Sequence, residues 1–269
     1  MRAGVFMIRL GLSAQAFPTK SPQDVVRIAV AAGLEGVEWA AESHLSPGDR
    51  KAAEALLMET LKAGLSIVSF AALYRALPEG EHGLGFEAIL DTASALQAPI
   101  VRIFAGSSAR GRAGPSDRAP LLDELRRLGD LAGQRGITVC LSLSRGTALE
   151  GYAAAEALLA ELGHAFVRLA WEPLPAVADS EATAALGRLA SSTSLVLARR
   201  ADRLGRGGPL AEEKTAWASR LPAFLAGETD PKMSRFVLLG RIGCEDEDRL
   251  REDAGFMAGL AADVNSRKR

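Results

Sequence analysis

The sequence predicts a closed (β/α)₈ barrel built from the whole chain, residues 1–269, as one domain. Short β-rich runs alternate with longer amphipathic runs along its full length, the order that parallel βαβ crossovers require. Eight such pairs follow one another at roughly 30 residues each, which suits a closed barrel better than an open doubly wound sheet. No glycine-rich phosphate fingerprint follows the first strand, where a dinucleotide-binding sheet would carry it.

The first strand is expected at Ile8–Ser13. Ser21 then offers an N-cap, with Pro22 at the first helical position, for a helix that runs to Ala32 and stops at Gly33. Gly36–Trp39 reads as the second strand and Arg50–Ala63 as a helix closed by Gly64. Ser66–Ala71 is the third strand, followed by a helix at Phe86–Leu96. Ile100–Ala105 is the fourth, ending in Gly106. Pro120–Gln134 is a strongly periodic helix with its charges on one side. Gly136 then turns the chain into a fifth strand at Ile137–Ser144. Thr147–Leu162 is helical and Phe166–Trp171 is the sixth strand. Glu181–Ala190, Pro209–Leu225 and Glu247–Ala262 are the last three helices, with strands at Ser194–Arg200 and Phe236–Gly240 between them. The tail from Asn265 is expected to fray. Two polar loops, Ser107–Ser116 and Ala201–Gly208, follow strands and so belong to the C-terminal face, where barrel sites lie. The second contains Gly205, Gly207 and Gly208, read as a flexible loop ahead of a phosphate site.

Composition narrows the function classes. The chain has 48% hydrophobic and 24% charged residues and a formal net charge of −1. That charge gives no electrostatic pull toward nucleic acid or anionic membrane. No run reaches the roughly 18 apolar residues of a membrane span, and Met1 to Leu12 lacks the core and cleavage site of a signal peptide. A cytoplasmic protein is the expectation. Cys140 and Cys244 are far apart and read as small buried thiols. No Cys/His cluster has zinc spacing.

Several segments resemble the xylose-isomerase-like barrels, the sugar phosphate isomerases and epimerases. They are Ala29-Val-Ala-Ala-Gly33-Leu-Glu-Gly36-Val-Glu38-Trp39, Val101–Gly106, Ile137–Thr147 and Arg168–Pro173, in the family's order and spacing. The resemblance implies the same barrel and a chemistry of small sugars or sugar-like acids. It also implies a divalent cation held by a Glu on the fifth strand, an Asp on the sixth, a His on the seventh and a Glu on the eighth. Matched residue by residue, those positions hold Ser142, Glu172, Ala198 and Gly240. The family's further histidines fall at Ser144 and Pro175, and a nearby lysine at Arg200. One carboxylate, Glu172, survives, so no metal or other cofactor is expected.

The remaining candidates cluster at strand ends. Glu38 and Glu172 are the expected acid–base pair. Arg102 and Arg200, with Arg199 and Arg241 near them, supply cations that can fork onto a carboxylate or phosphate. One of these guanidinium groups is expected to fill the space of the absent cation by pairing with Glu172 or Glu38; a salt-bridge network that merely fills the barrel top is the competing reading. Ser142 and Ser144 line the cavity without a His–Asp partner that would activate them. Trp39, Trp171 and Tyr74 can stack on a sugar ring or pack the rim. His44 and His82 read as exposed loop residues on the functional face, and His164 as a surface residue at the barrel bottom. Two functions follow: a metal-free isomerase or epimerase, or a non-catalytic barrel that binds a small anionic ligand or a protein partner. Nucleic-acid chemistry is set aside, and a dimer is compatible with the sequence but not demanded by it.

Overall fold

A computed structural model of the chain describes residues 7–76, 85–106, 115–199, 207–227, 235–240 and 245–267. Eight parallel strands close in sequence order, β8 returning to β1. They are β1 (Ile8–Ser13), β2 (Gly36–Ala40), β3 (Ser66–Arg75), β4 (Ile100–Phe104), β5 (Thr138–Ser142), β6 (Val167–Trp171), β7 (Thr193–Ala198) and β8 (Arg235–Leu239). The helices that follow them are α1 (Pro22–Ala31), α2 (Arg50–Lys62), α3 (Phe86–Ala95), α4 (Pro115–Gly133), α5 (Tyr152–Leu162), α6 (Asp179–Leu189), α7 (Lys214–Ala226) and α8 (Glu247–Ser266). The predicted (β/α)₈ barrel is the observed fold.

Alternation along the strands sorts the core into two layers. Val68, Ile100, Cys140, Ala170, Leu195, Leu197, Phe236 and Leu238 form one cluster that fills the barrel. Their outward-facing neighbours, among them Val37, Val101, Leu141, Leu169, Val196 and Val237, join the larger layer beneath the helices. Gly11 and Gly36 are small because the filled interior leaves no room. A Cβ on Gly36 would stand 2.6 Å from the Val68 side chain and 3.0 Å from the Phe236 ring.

Several boundaries differ from expectation for physical reasons. Pro115, not Pro120, is the proline at the start of α4, and Pro120 lies inside the helix. β5 ends at Ser142, so Ser144 is not on the strand. It opens a turn in which Thr147 Oγ1 donates to the Ser144 carbonyl and accepts from Leu149 N–H. The helix predicted from Thr147 accordingly starts at Tyr152, after Gly151. The seventh helix is preceded by a 3₁₀ turn, Leu210–Glu213. Asn265 is not frayed: it lies in α8, accepts from Ile8 N–H at 2.9 Å and donates to the Ile8 carbonyl at 3.0 Å. That clasp ties the end of the last helix to the start of the first strand.

Gly36→Ala is expected to lower the free energy of unfolding by about 1–3 kcal/mol, the usual cost of overfilling a packed core. Urea denaturation of the two proteins checks it, and an unchanged midpoint would contradict the crowding inferred at that position.

Candidate functional site

Toward the C-terminal face, one level of the barrel carries one inward position per strand: Ser13, Glu38, Ser69, Arg102 and Ser142 within β1 to β5, and Glu172, Arg199 and Gly240 just beyond β6, β7 and β8. These positions form a polar layer above the apolar plug, and four of the eight are charged.

Glu38 is fully buried. Its carboxylate accepts from Ser13 Oγ at 2.8 Å, Ser69 Oγ at 2.7 Å, Arg102 Nε at 2.8 Å and Arg102 Nη2 at 2.7 Å. The register explains why these groups meet. Ser13 lies opposite Glu38 across the β1–β2 pair. On the other side a register shift after Val37 brings Ser69 opposite Glu38, where an unbroken ladder would have placed Val68. Arg102, itself 5% exposed, spends its other donors on Ser142 Oγ at 3.1 Å and Gln15 Oε1 at 2.8 Å. Five strands, β1 to β5, are thus laced together through the Glu38–Arg102 ion pair.

The second pair is looser. Arg199 Nη1 stands 2.9 Å from Glu172 Oε2, with the two side chains 17% and 20% exposed. Arg199 Nε and Nη2 are buried and have no hydrogen-bond partner among the described residues. Glu172 is positioned through its backbone: Tyr152 OH donates to its carbonyl and accepts from Leu174 N–H, while the Tyr152 ring stacks on Trp171.

Electrostatics separates the two pairs. Burial pushes the Glu38 carboxyl up, but the Arg102 charge and the hydrogen bonds outweigh it and hold Glu38 below its ordinary value of 4.5. Burial likewise disfavours the Arg102 cation, yet Glu38 and, more weakly, Glu172 leave its pKa raised. For Arg199 burial wins: Glu172 favours its charge, Arg102 opposes it, and the pKa is lowered. A guanidinium remains protonated near neutral pH nonetheless. The four charged groups sum to zero, and they interact as one set.

Two cavities open on this face. One, about 200 Å³, lies at the ends of β7 and β8 and is lined by Arg199, Gly240, Arg249, Gly207 and Gly208 among others. The other, a groove of about 640 Å³, runs past Ser144, Tyr152, Glu172 and Leu174. The Glu172–Arg199 pair stands between them, each partner lining one.

The structure therefore brings together Glu38, Arg102 and Ser142, and separately Glu172 with Arg199. Ser144 lines the groove beside Glu172. Trp39 and Trp171 do not reach the mouth: both are completely buried on the outer face of the sheet, under the helices, which corrects the stacking role expected of them. Ala198 likewise belongs to the outer layer, and the inward position on this strand falls to Arg199. Tyr74 packs on Phe86. His44 is not an open loop residue; it is half-buried, with Nε2 3.1 Å from the Phe17 carbonyl and its ring edge-on to Trp39. His164 is packed too, 16% exposed, with Nε2 3.2 Å from Asp130. Arg200, Arg241, His82, Gly205 and Cys244 lie outside the described residues; Cys140 is buried, with its thiol pushed up to about 12 by burial. Ser13, Gln15 and Ser69 escaped the sequence reading. Ser13 could have been found from its inward parity on β1, whereas Ser69 depends on the register shift.

Among the described residues no three His, Cys, Asp or Glu side chains converge as a set that could hold a metal ion. No helix among them is long and apolar enough to cross a membrane.

The sequence profile described as xylose isomerase-like TIM barrel matches residues 26–212. No curated protein matches the chain in sequence. Among solved structures, the probable 3-DHS dehydratase AsbF of Bacillus anthracis superposes with a TM-score of 0.75 at 16% identity, covering 93% of this chain and 98% of that one. A xylose isomerase-like barrel of Mycobacterium smegmatis in complex with magnesium gives 0.70 at 16% identity, covering 98% and 99%. A D-psicose 3-epimerase with D-fructose gives 0.67 at 13% identity, covering 96% and 99%. At these identities the likeness is one of fold.

Glu38→Gln is expected to cost about 3–5 kcal/mol of stability at neutral pH, because it leaves the Arg102 charge buried without a counter-charge. Glu38→Gln combined with Arg102→Met recovers much of that loss, since neither charge then remains. The pH dependence has a definite sign. With its folded pKa below 4.5, Glu38 contributes stability that is fully present above that pH. The contribution is lost as pH falls through the folded value, because the unfolded chain takes up the proton first. Denaturant titrations at stepped pH should show a steeper acid slope in the native chain than in the double variant, which keeps the part due to Asp24, Glu245 and Glu247.

Proposed function

We propose, on the premise that the chain belongs to the xylose isomerase-like TIM barrel family, that its barrel mouth binds a small sugar-like acid with guanidinium groups standing where relatives hold a divalent cation. The observation that carries this reading is the occupation of the polar layer by two arginines, each paired with one of its two carboxylates. The M. smegmatis barrel binds magnesium and the IOLI protein a zinc atom. The residues present here do not fit such a cation. Glu38 has its oxygens committed to four donors, Ser142 already accepts from Arg102, and Gly240 offers no side chain. A cation placed among them would face Arg102 and Arg199 with Glu172, already paired to Arg199, as the one remaining acid of the layer among the described residues, and Coulomb repulsion in a poorly solvated site opposes that. What the site offers instead is a set of fixed N–H donors, suited to carboxylate and hydroxyl oxygens.

A second reading is that Glu172 moves a proton between neighbouring carbons of a bound sugar. Epimerases of D-psicose and L-ribulose share the fold, and Glu172 is the partly exposed carboxylate of the layer, held by one ion pair. The locked state of Glu38 weighs against an acid–base pair, since a general base must be free to take and release a proton. Binding is therefore the reading favoured.

Elemental analysis of the purified protein is expected to find well under one equivalent of metal, and calorimetry with manganese, magnesium or zinc no stoichiometric binding. One tightly held equivalent would overturn the metal-free reading. Incubation with D-fructose in deuterated water is expected to leave its carbon-bound hydrogens unexchanged. Exchange that disappears in Glu172→Gln would establish the second reading instead.

A further inference from the structure

We propose that Arg199 is a docking point for the oxyanion of an incoming ligand, and that Glu172 is the internal competitor which that oxyanion displaces. The inference rests on the reading that the mouth binds an acidic ligand, and it deepens that reading by naming where the acid group goes and what must move.

Four observations carry it. Among the described residues, Arg199 spends one nitrogen on Glu172 and leaves Nε and Nη2 buried without a partner. Buried donors are nearly always satisfied in folded proteins, so two open ones on one fork mark a place for an acceptor. Arg199 lines the 200 Å³ cavity, and so does Arg249, whose Nη1 is also buried and unpartnered. The acids on that wall are engaged: Glu245 by Thr19, Asp246 by the Arg249 backbone N–H and Asp253 by the Leu210 N–H. These acids keep their charge, but the buried side-chain N–H groups on this wall without a partner among the described residues are those of Arg199 and Arg249. Finally, the four charged groups of the layer among the described residues sum to zero before any ligand arrives. Glu38 and Glu172 balance Arg102 and Arg199, so an added anion leaves one negative charge in excess in a poorly solvated site.

The excess is relieved by the carboxylate that can leave. Glu38 cannot, with four hydrogen bonds and no exposure. Glu172 can: among the described residues its ion pair is to Arg199, it is one-fifth exposed, and it borders the larger groove, whose wall also carries Arg145 and Arg188. Swinging into that groove would take Glu172 to other cations and water, hand Arg199 to the ligand, and join two cavities that the ion pair now divides. The ion pair is thus a gate that opens to an oxyanion and not to a neutral polyol.

The test is titration calorimetry with D-gluconate, inorganic phosphate and neutral D-glucitol on the native chain, Glu172→Gln, Arg199→Gln and Arg199→Lys. Circular dichroism checks that each variant is folded. Gluconate or phosphate is expected to bind the native chain, and Glu172→Gln to bind it about tenfold tighter because the competitor is gone. Arg199→Gln is expected to lose at least that factor, and Arg199→Lys to keep part of the affinity as a point charge without the fork. Which of the two oxyanions binds better separates a carboxylate from a phosphate ligand. Unchanged or weaker binding in Glu172→Gln would overturn displacement. Equal affinity in Arg199→Gln, glucitol binding as well as gluconate, or no oxyanion bound by either the native chain or Glu172→Gln would overturn the docking point. Absence of any oxyanion binding would sink the docking point together with the acidic-ligand reading, whereas oxyanion binding that Arg199→Gln leaves unchanged sinks the docking point alone and leaves that reading standing.

Discussion

Everything at the mouth of this barrel is arranged around one buried charge. A carboxylate with no exposure cannot stay ionised unless its lost hydration is replaced, and the penalty for leaving it unpaired is several kcal/mol. Glu38 meets that demand with two serine hydroxyls and a bidentate guanidinium. Once Arg102 is fixed on Glu38, its remaining donors reach Ser142 and Gln15. Its charge then bears on Glu172 and opposes Arg199 across the mouth. The polar layer is in this sense a chain of consequences from Glu38. Pairs of this kind seldom add net stability over a hydrophobic substitute, but breaking one partner is costly. The arrangement therefore fixes geometry more than it strengthens the fold.

Much of that geometry was legible in the sequence. The alternation of strand-like and helical runs gives eight parallel strands, and strand parity puts Glu38 and Arg102 on the inner face. Spacing near glycine stops located most boundaries, because Gly33, Gly64 and Gly136 adopt the positive φ that ends a helix. What was not legible depends on three-dimensional detail. The shift between Val37 and Glu38 that delivers Ser69 leaves no mark in composition or period. Trp39 and Trp171 sit near strand ends, where an aromatic ring can face either way; a one-residue change of parity sends it under the helices. Asn265 looked like tail because its partner, the backbone of Ile8, is at the other end of the chain.

The pairing also bears on the proposal that guanidinium groups stand at this mouth in place of a cation. A divalent ion and a guanidinium satisfy the same electrostatic need, positive charge among strand-end oxygens, but with different geometry. An ion gathers ligands from many directions and keeps a position open for substrate. A guanidinium is planar, spends its donors in fixed directions, and cannot polarise a carbonyl as a Lewis acid does. Arg102 leaves little open, since both forks of its plane are engaged. Arg199 differs because it follows its strand, at the rim, and its counter-ion comes from the next strand end and not from the sheet interior.

That contrast gives the two carboxylates different characters, although they occupy the same layer. Glu38 lies within a strand between two hydroxyl-bearing strands, and its surroundings hold it ionised and immobile. Glu172 follows β6, is anchored by its backbone through Tyr152, and keeps a side chain free to exchange partners. Environment, and not residue type, separates one acid from the other, as it does wherever paired carboxylates take distinct roles. Where Glu38 sets the architecture, Glu172 is the group through which the proposed ligand would be felt, because its side chain lies beyond the end of its strand and is one-fifth exposed.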